Sequence, residues 1–237
     1  MIVIGTATAF GGWLDKGKEL LNQAVTSTGT DKPAVLTTDE IGAGLKEALK
    51  VGTERVVAQL GQNDGFNTDP AIHIPLPDSL TKVQSALNKI GLSSMLDDLE
   101  LRLNRAAETA TPKAKTLFWQ SIQEMTLDDV QGIYKGPDDA ATRYFQGKMS
   151  APLAEEMRPV VEESLAQVGA IQSYDNVMGK YSALPFVPDV KADLTTHVLD
   201  KGLAGIFHYV AKEEAAIRQN PVKRTTELLK RVFGTAP

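Results

Sequence analysis

Apolar residues return every three or four positions in stretch after stretch of this chain, from Ile41 to Phe233. That spacing suits one folding solution, helices that each bury a single stripe against their neighbours. Thr38 is placed to cap a first helix carrying Ile41, Leu45, Ala48, Leu49, Gly52, Val56 and Leu60 on one face. Gly52 lies within that stripe, where a missing side chain lets a neighbouring helix come close. A second helix from Ser79 presents Val83, Leu87 and Ile90, and a third presents Leu96, Leu99, Leu103, Ala106, Ala107 and Ala110. Thr111-Pro112 reads as the end of that helix and the start of the next, since proline suits a first turn better than an interior.

The remaining boundaries carry similar punctuation. Thr126 followed by Asp129 has the spacing of a capping box, with Asp in place of the usual Glu or Gln. Gly136-Pro137-Asp138-Asp139 closes one helix and opens another. Ser150 opens a long stretch from Leu153 to Tyr181, which Pro159 is expected to kink or split. A long helix follows with Leu194, Val198, Leu203, Ile206, Val210 and Ile217, then Asn220-Pro221 caps a last one ending at Gly234. Two segments escape the helical period, 71–77 and 183–188. Their spaced prolines predict extended straps across the helices, with too few N–H donors for a true sheet. The expectation is an all-α fold, a single-domain bundle of about eight helices with two short proline-rich straps.

Residues 1–37 read differently from 38–237. Ile2-Val3-Ile4 followed by Ala7 and Ala9 fits the tail of a secretory signal, without the basic segment that begins one. A short amphipathic helix with Trp13, Leu14, Leu20 and Leu21 and a polar linker to Pro33 complete this part. The signal-like remnant predicts export to the periplasm.

Composition removes several classes of function. A net charge of −5 argues against nonspecific nucleic-acid binding, and 6% aromatic residues are too few for a base-stacking groove. With no cysteine there are no disulfides, thiolate nucleophiles or Cys-based zinc sites. No apolar run is long enough for a transmembrane helix, although the helix around Trp13 offers a membrane-surface contact.

Chemical motifs are sparse. Gly12 to Glu19 nearly matches a phosphate-binding loop, but Glu19 stands where a hydroxyl should meet Mg²⁺, and no parallel sheet follows. His197 and His208 share a helix face roughly 16 Å apart, too far to share a metal ion. There is no Ser-based nucleophile motif and no recognisable cofactor motif. Asp128, Asp129, Asp138 and Asp139 read mainly as first-turn carboxylates that favour the helix dipole. Of these, Asp138 and Asp139 are the better, though weak, metal candidates, as hard oxygen ligands. Asp98 and Arg102 have ion-pair spacing. Lys223, Arg224, Lys230 and Arg231 form a basic cluster near the C-terminus, read as a solvated face.

The run Gly44 to Arg55 ending in Gly61, the segment Ile72 to Pro77, and Leu101-Arg102-Leu103-Asn104-Arg105-Ala106-Ala107-Glu108 resemble the bacterial "domain of unknown function 4197" family. Met125-Thr126, Asp138 to Thr142, Leu184-Pro185 and Arg224 to Gly234 continue the resemblance, which spans 38–234 in order. It implies exported proteins of Gram-negative bacteria, with no established activity. Its polar motifs fall on Asn104, Arg105, Glu108, Asp138, Asp139, Thr142 and Arg224, none with an assigned role.

Two functions compete at this point. One is a noncatalytic periplasmic binding or interaction module whose partner is an envelope protein or a small ligand. The other is a small-ligand- or cation-binding protein, or an enzyme, with a polar interhelical cleft lined by Asn104, Arg105, Glu108, Asp138, Asp139 and Tyr144.

Overall fold

The computed structural model describes residues 37–185, 192–220, 223, 224, 230 and 234. Seven α-helices occupy them: α1 (Thr38–Leu60), α2 (Thr81–Lys89), α3 (Ser94–Gln123), α4 (Leu127–Tyr134), α5 (Ala140–Gln167), α6 (Ala170–Ser182) and α7 (Leu194–Gln219). A 3-10 turn, Asp78–Leu80, leads into α2. Among the described residues there is no β-strand. The signal-like remnant, the Trp13 helix and the near-match to a phosphate loop lie outside the described residues. So do most of the last expected helix and the second half of the 183–188 segment.

The long helices α1, α3, α5 and α7 pack on one another, and α3 also meets α6. Leu96, Leu99, Leu103, Ala106, Ala107, Ala110, Ala114, Phe118 and Ile122 make α3 buried along its whole length. Phe118 meets Phe207 of α7 edge to face, with ring centroids 5.7 Å apart. Such ring pairs contribute about 1 kcal/mol beyond the area they bury.

Two helix N-termini are sealed by capping boxes. Thr37, one residue before the expected cap, accepts from Glu40 N at 3.2 Å, and the Glu40 carboxylate accepts from Thr37 N at 3.0 Å. Thr126 and Asp129 make the same reciprocal pair at α4, at 3.2 and 2.9 Å.

Proline does not break these helices as the sequence spacing predicts. Thr111-Pro112 lies inside a continuous α3, and Pro152 and Pro159 lie inside a continuous α5. All three prolines lie on exposed positions of their helices. Pro112 also rests against Gly61, where a β-carbon would sit 2.8 Å from its Cγ. The break in the 153–181 stretch comes instead at Gly169, whose φ of 71° is left-handed and ends α5 before α6 begins. Among the described residues these continuous helices join segments that the proline spacing separates, and seven α-helices result.

Gly52 does face α7, but a β-carbon there would lie an ordinary 3.7 Å from Glu213 Cβ. The close approach belongs to Gly205 of α7, where an added β-carbon would meet Phe66 Cε1 at 2.8 Å and Ile72 Cβ at 3.2 Å. Phe66 and Ile72 belong to the connector between α1 and α2, which buries Phe66, Ile72, Ile74 and Pro77 while forming neither helix nor sheet over 73–77.

Candidate functional site

A buried segment without secondary structure needs partners for its N–H and C=O groups. Here α3 supplies them from one face, at Glu100, Asn104 and Glu108, four residues apart. Asn104 Oδ1 accepts from Ile74 N at 2.9 Å, and its Nδ2 donates to Ile74 O at 2.8 Å and to Glu100 O at 2.9 Å. Glu108 Oε1 accepts from the N–H groups of Phe66 and Asn67 at 3.0 and 3.1 Å. Its Oε2 accepts from Arg105 at 2.7 Å, and Arg105 reaches on to Asp64 at 2.7 Å. Glu100 Oε2 accepts from Leu76 N at 3.1 Å, while its Oε1 meets His73 Nε2 at 2.9 Å. From α7, the ring nitrogen Nε2 of His197 meets Pro75 O at 2.7 Å and the Tyr209 hydroxyl donates to Asp69.

The electrostatics follow from those bonds. Asp64 is held below the ordinary carboxylate range, first by the Asn67 side chain and then by Arg105. Asp69 is lowered mainly by the Tyr209 hydroxyl. Arg105 is raised, chiefly by Glu108.

A second saturated cluster sits at the start of α5. Glu214 of α7 accepts from Ala141 N, Thr142 N and the Thr142 hydroxyl, each at 2.9 Å. Arg218 donates to the same carboxylate at 3.0 Å and to Ile133 O at 2.9 Å. Thus a helix 72 residues away in sequence caps α5, while Asp139 at the N-cap position offers no cap bond and pairs with Arg143 at 2.8 Å. Asp138 accepts from Gln219. Tyr144 donates to Asp129 at 2.9 Å, not to Asp138 or Asp139. Burial, then Asp129, pushes the Tyr144 hydroxyl up to about 12.

The six residues expected to line one polar cleft therefore divide by partner. Asn104, Arg105 and Glu108 hold the connector, Asp138 and Asp139 engage side chains at the α5 start, and Tyr144 engages the α4 cap. Among the described residues no group of three or more His, Cys, Asp or Glu side chains is placed to hold a metal ion. Arg102 pairs with Asp98 at 2.8 Å, as its spacing suggests, and also donates to Val168 O at the end of α5. Arg224 donates to Ile217 O and Arg218 O in the last turn of α7 at 3.0 and 2.6 Å. Of the basic cluster, then, Arg224 serves as a helix C-cap.

One open concavity differs in character. Lys46, Glu47 and Lys50 of α1 and Trp119, Ile122 and Gln123 of α3 line a groove open to solvent. Lys50 and Lys115 ammonium groups stand 4.4 and 4.3 Å from the Trp119 ring centre. Lys46 is committed, donating to Gln123 O and Met125 O at 3.0 Å each. Lys115 pairs with Glu54 at 3.2 Å. Trp119 Nε1 is buried and, among the described residues, is the one such side-chain atom without a partner. An orphaned donor of this kind costs about 1–3 kcal/mol. The helical pattern did not single out Trp119, which lies just beside the Phe118 core position; what marks it is the lysines brought in from α1.

Among the described residues no helix is long and apolar enough to cross a membrane. No curated protein and no solved structure matches this chain. The family described as "Protein of unknown function (DUF4197)" matches residues 35–234, a span that takes in the connector, both clusters and the Trp119 groove. The chain belongs to that family.

Proposed function

We propose that this protein is a noncatalytic binding module of the bacterial periplasm, acting on a small ligand or an envelope partner. The observation that carries this reading is the fate of its polar motif residues. Asn104, Glu108, Thr142 and Arg224, with Glu214 beside them, are spent on main-chain groups or on each other. A general acid, base or nucleophile needs a free position within reach of substrate, and these side chains have none to spare. The export reading is supported by the signal-like residues Ala7 and Ala9.

The experiment is a thermal-shift screen of the purified chain against a metabolite panel, with each stabilising compound recovered and weighed by mass spectrometry. A ligand that binds only the folded state raises stability by about 2.7 kcal/mol at a hundredfold excess over Kd. The expected outcome is a stabilising compound recovered chemically unchanged. Conversion of that compound by the protein would overturn the noncatalytic reading. Retention with cytoplasmic markers after osmotic shock would overturn the periplasmic one.

A further inference from the structure

We infer that the groove around Trp119 takes a small organic anion, a carboxylate carried on an apolar body. The inference rests on the binding reading and gives that reading a site. Three observations carry it. First, Lys50 lies at the groove and forms no ion pair among the described residues, its recorded partner being the Trp119 ring. Second, the Trp119 N–H has no acceptor. A cation and a donor on two residues of one groove, both lacking an anion, are what a carboxylate satisfies with charge-assisted bonds. Third, Ile122 and the Trp119 ring line the same groove and give it an apolar wall beside the ammonium.

Lys50 and Lys115 both stand over the indole, and among the described residues only Lys115 has a carboxylate partner. A carboxylate that engages the Lys50 ammonium changes the surroundings of the ring, so binding is reported by the tryptophan itself. Glu47, on the same lining, forms no ion pair among the described residues and stands as a competitor for Lys50. It sets a sign that a merely sticky apolar groove would not show: removing its charge strengthens anion binding, whereas removing the charge of Lys50 weakens it.

The test uses the full chain carrying Trp13→Phe, which leaves Trp119 as the sole tryptophan of two. Octanoate, its neutral twin octanamide, and inorganic phosphate are titrated while Trp119 emission and melting temperature are both recorded. We expect a saturable emission change with octanoate at concentrations about tenfold below those needed for octanamide. Lys50→Gln should raise the octanoate Kd about tenfold, and Glu47→Gln should lower it a few-fold. Equal response to octanoate and octanamide, or no effect of Lys50→Gln, would overturn the anion assignment. Saturation by phosphate at the same concentration would overturn the apolar half of it. A panel compound that raises the melting temperature while Trp119 emission stays fixed would leave the binding reading standing and remove this site.

Discussion

Asn104 holds Ile74 by both of its main-chain groups, accepting from the N–H at 2.9 Å and donating to the carbonyl at 2.8 Å. The amide thus stands in for a neighbouring strand, and it does so in the core, where Asn104 is fully buried. Asn104→Ala removes two partners at once and should destabilise the protein by about 3 kcal/mol. Asn104→Asp keeps the acceptor but turns a second oxygen toward two carbonyls, and should cost at least as much. Urea midpoints of the two variants check this; an Asp variant as stable as the parent would show the donor side to be idle.

Glu214 and Arg218 form a buried pair whose carboxylate also caps α5. Removing one partner of such a pair typically costs about 3–5 kcal/mol. We expect Glu214→Ala to fall in that range, Arg218→Met to cost less, and the double variant to fall well short of their sum. A double-mutant cycle in guanidinium reads the coupling, and strict additivity would mean the two side chains act independently.

Gly205→Ala should destabilise by about 1–3 kcal/mol, because the new methyl would overlap Phe66 and Ile72. Gly52→Ala is the control, since its methyl meets only ordinary contacts. It should be neutral or slightly stabilising through helix propensity. Thermal melts of the pair check this, and equal melting temperatures would mean that the connector gives way to the added methyl.

Asp98, Asp129 and Asp193 are all held below the usual carboxylate value, mainly by Arg102, Thr126 and Thr196 respectively. A depressed folded pKa contributes stability above the unfolded value near 3.8, and that contribution fades as pH falls through the folded value. Stability should therefore be flat from neutral pH to about 5 and drop steeply below 4. Thr126→Ala should shallow the acid limb by releasing Asp129, which denaturation midpoints at graded pH would register.

Tyr144 makes the opposite prediction at high pH. Its hydroxyl rises from 10.0 to about 12, so its share of stability is intact below pH 10 and is lost as pH climbs toward 12. Ultraviolet titration of the five tyrosines should show a late-ionising component that Tyr144→Phe removes. Tyr209, raised by Asp69, contributes to the same late phase, so the Tyr144→Phe difference spectrum is the decisive one.

The helices themselves were legible because burial imposes a period on the sequence, and the stripes through Leu45 to Leu60 and Leu96 to Ala110 were buried as spaced. Proline was misleading because its effect depends on where it falls on the packed helix. Pro112, Pro152 and Pro159 face water, a property of the packed helix and not of the residue. The polar residues were visible as motifs, but their task was not. Asn104 works on a residue 30 positions earlier, Glu108 on one 42 earlier, and Glu214 on a helix start 73 residues earlier. Nothing local in the sequence records such partners. Trp119 belongs with them, since Lys115 reaches its ring from four residues earlier on α3 but Lys50 arrives from α1.

The cap that Glu214 places on α5 has a consequence for the order in which the chain can become a protein. A helix normally carries its own cap next door in sequence, and so can finish as it is made. Here the first turn of α5 waits for a residue near the end of the last described helix. That turn gains its cap only when α7 packs against α5, so the start of one helix and the docking of the other form in a single step.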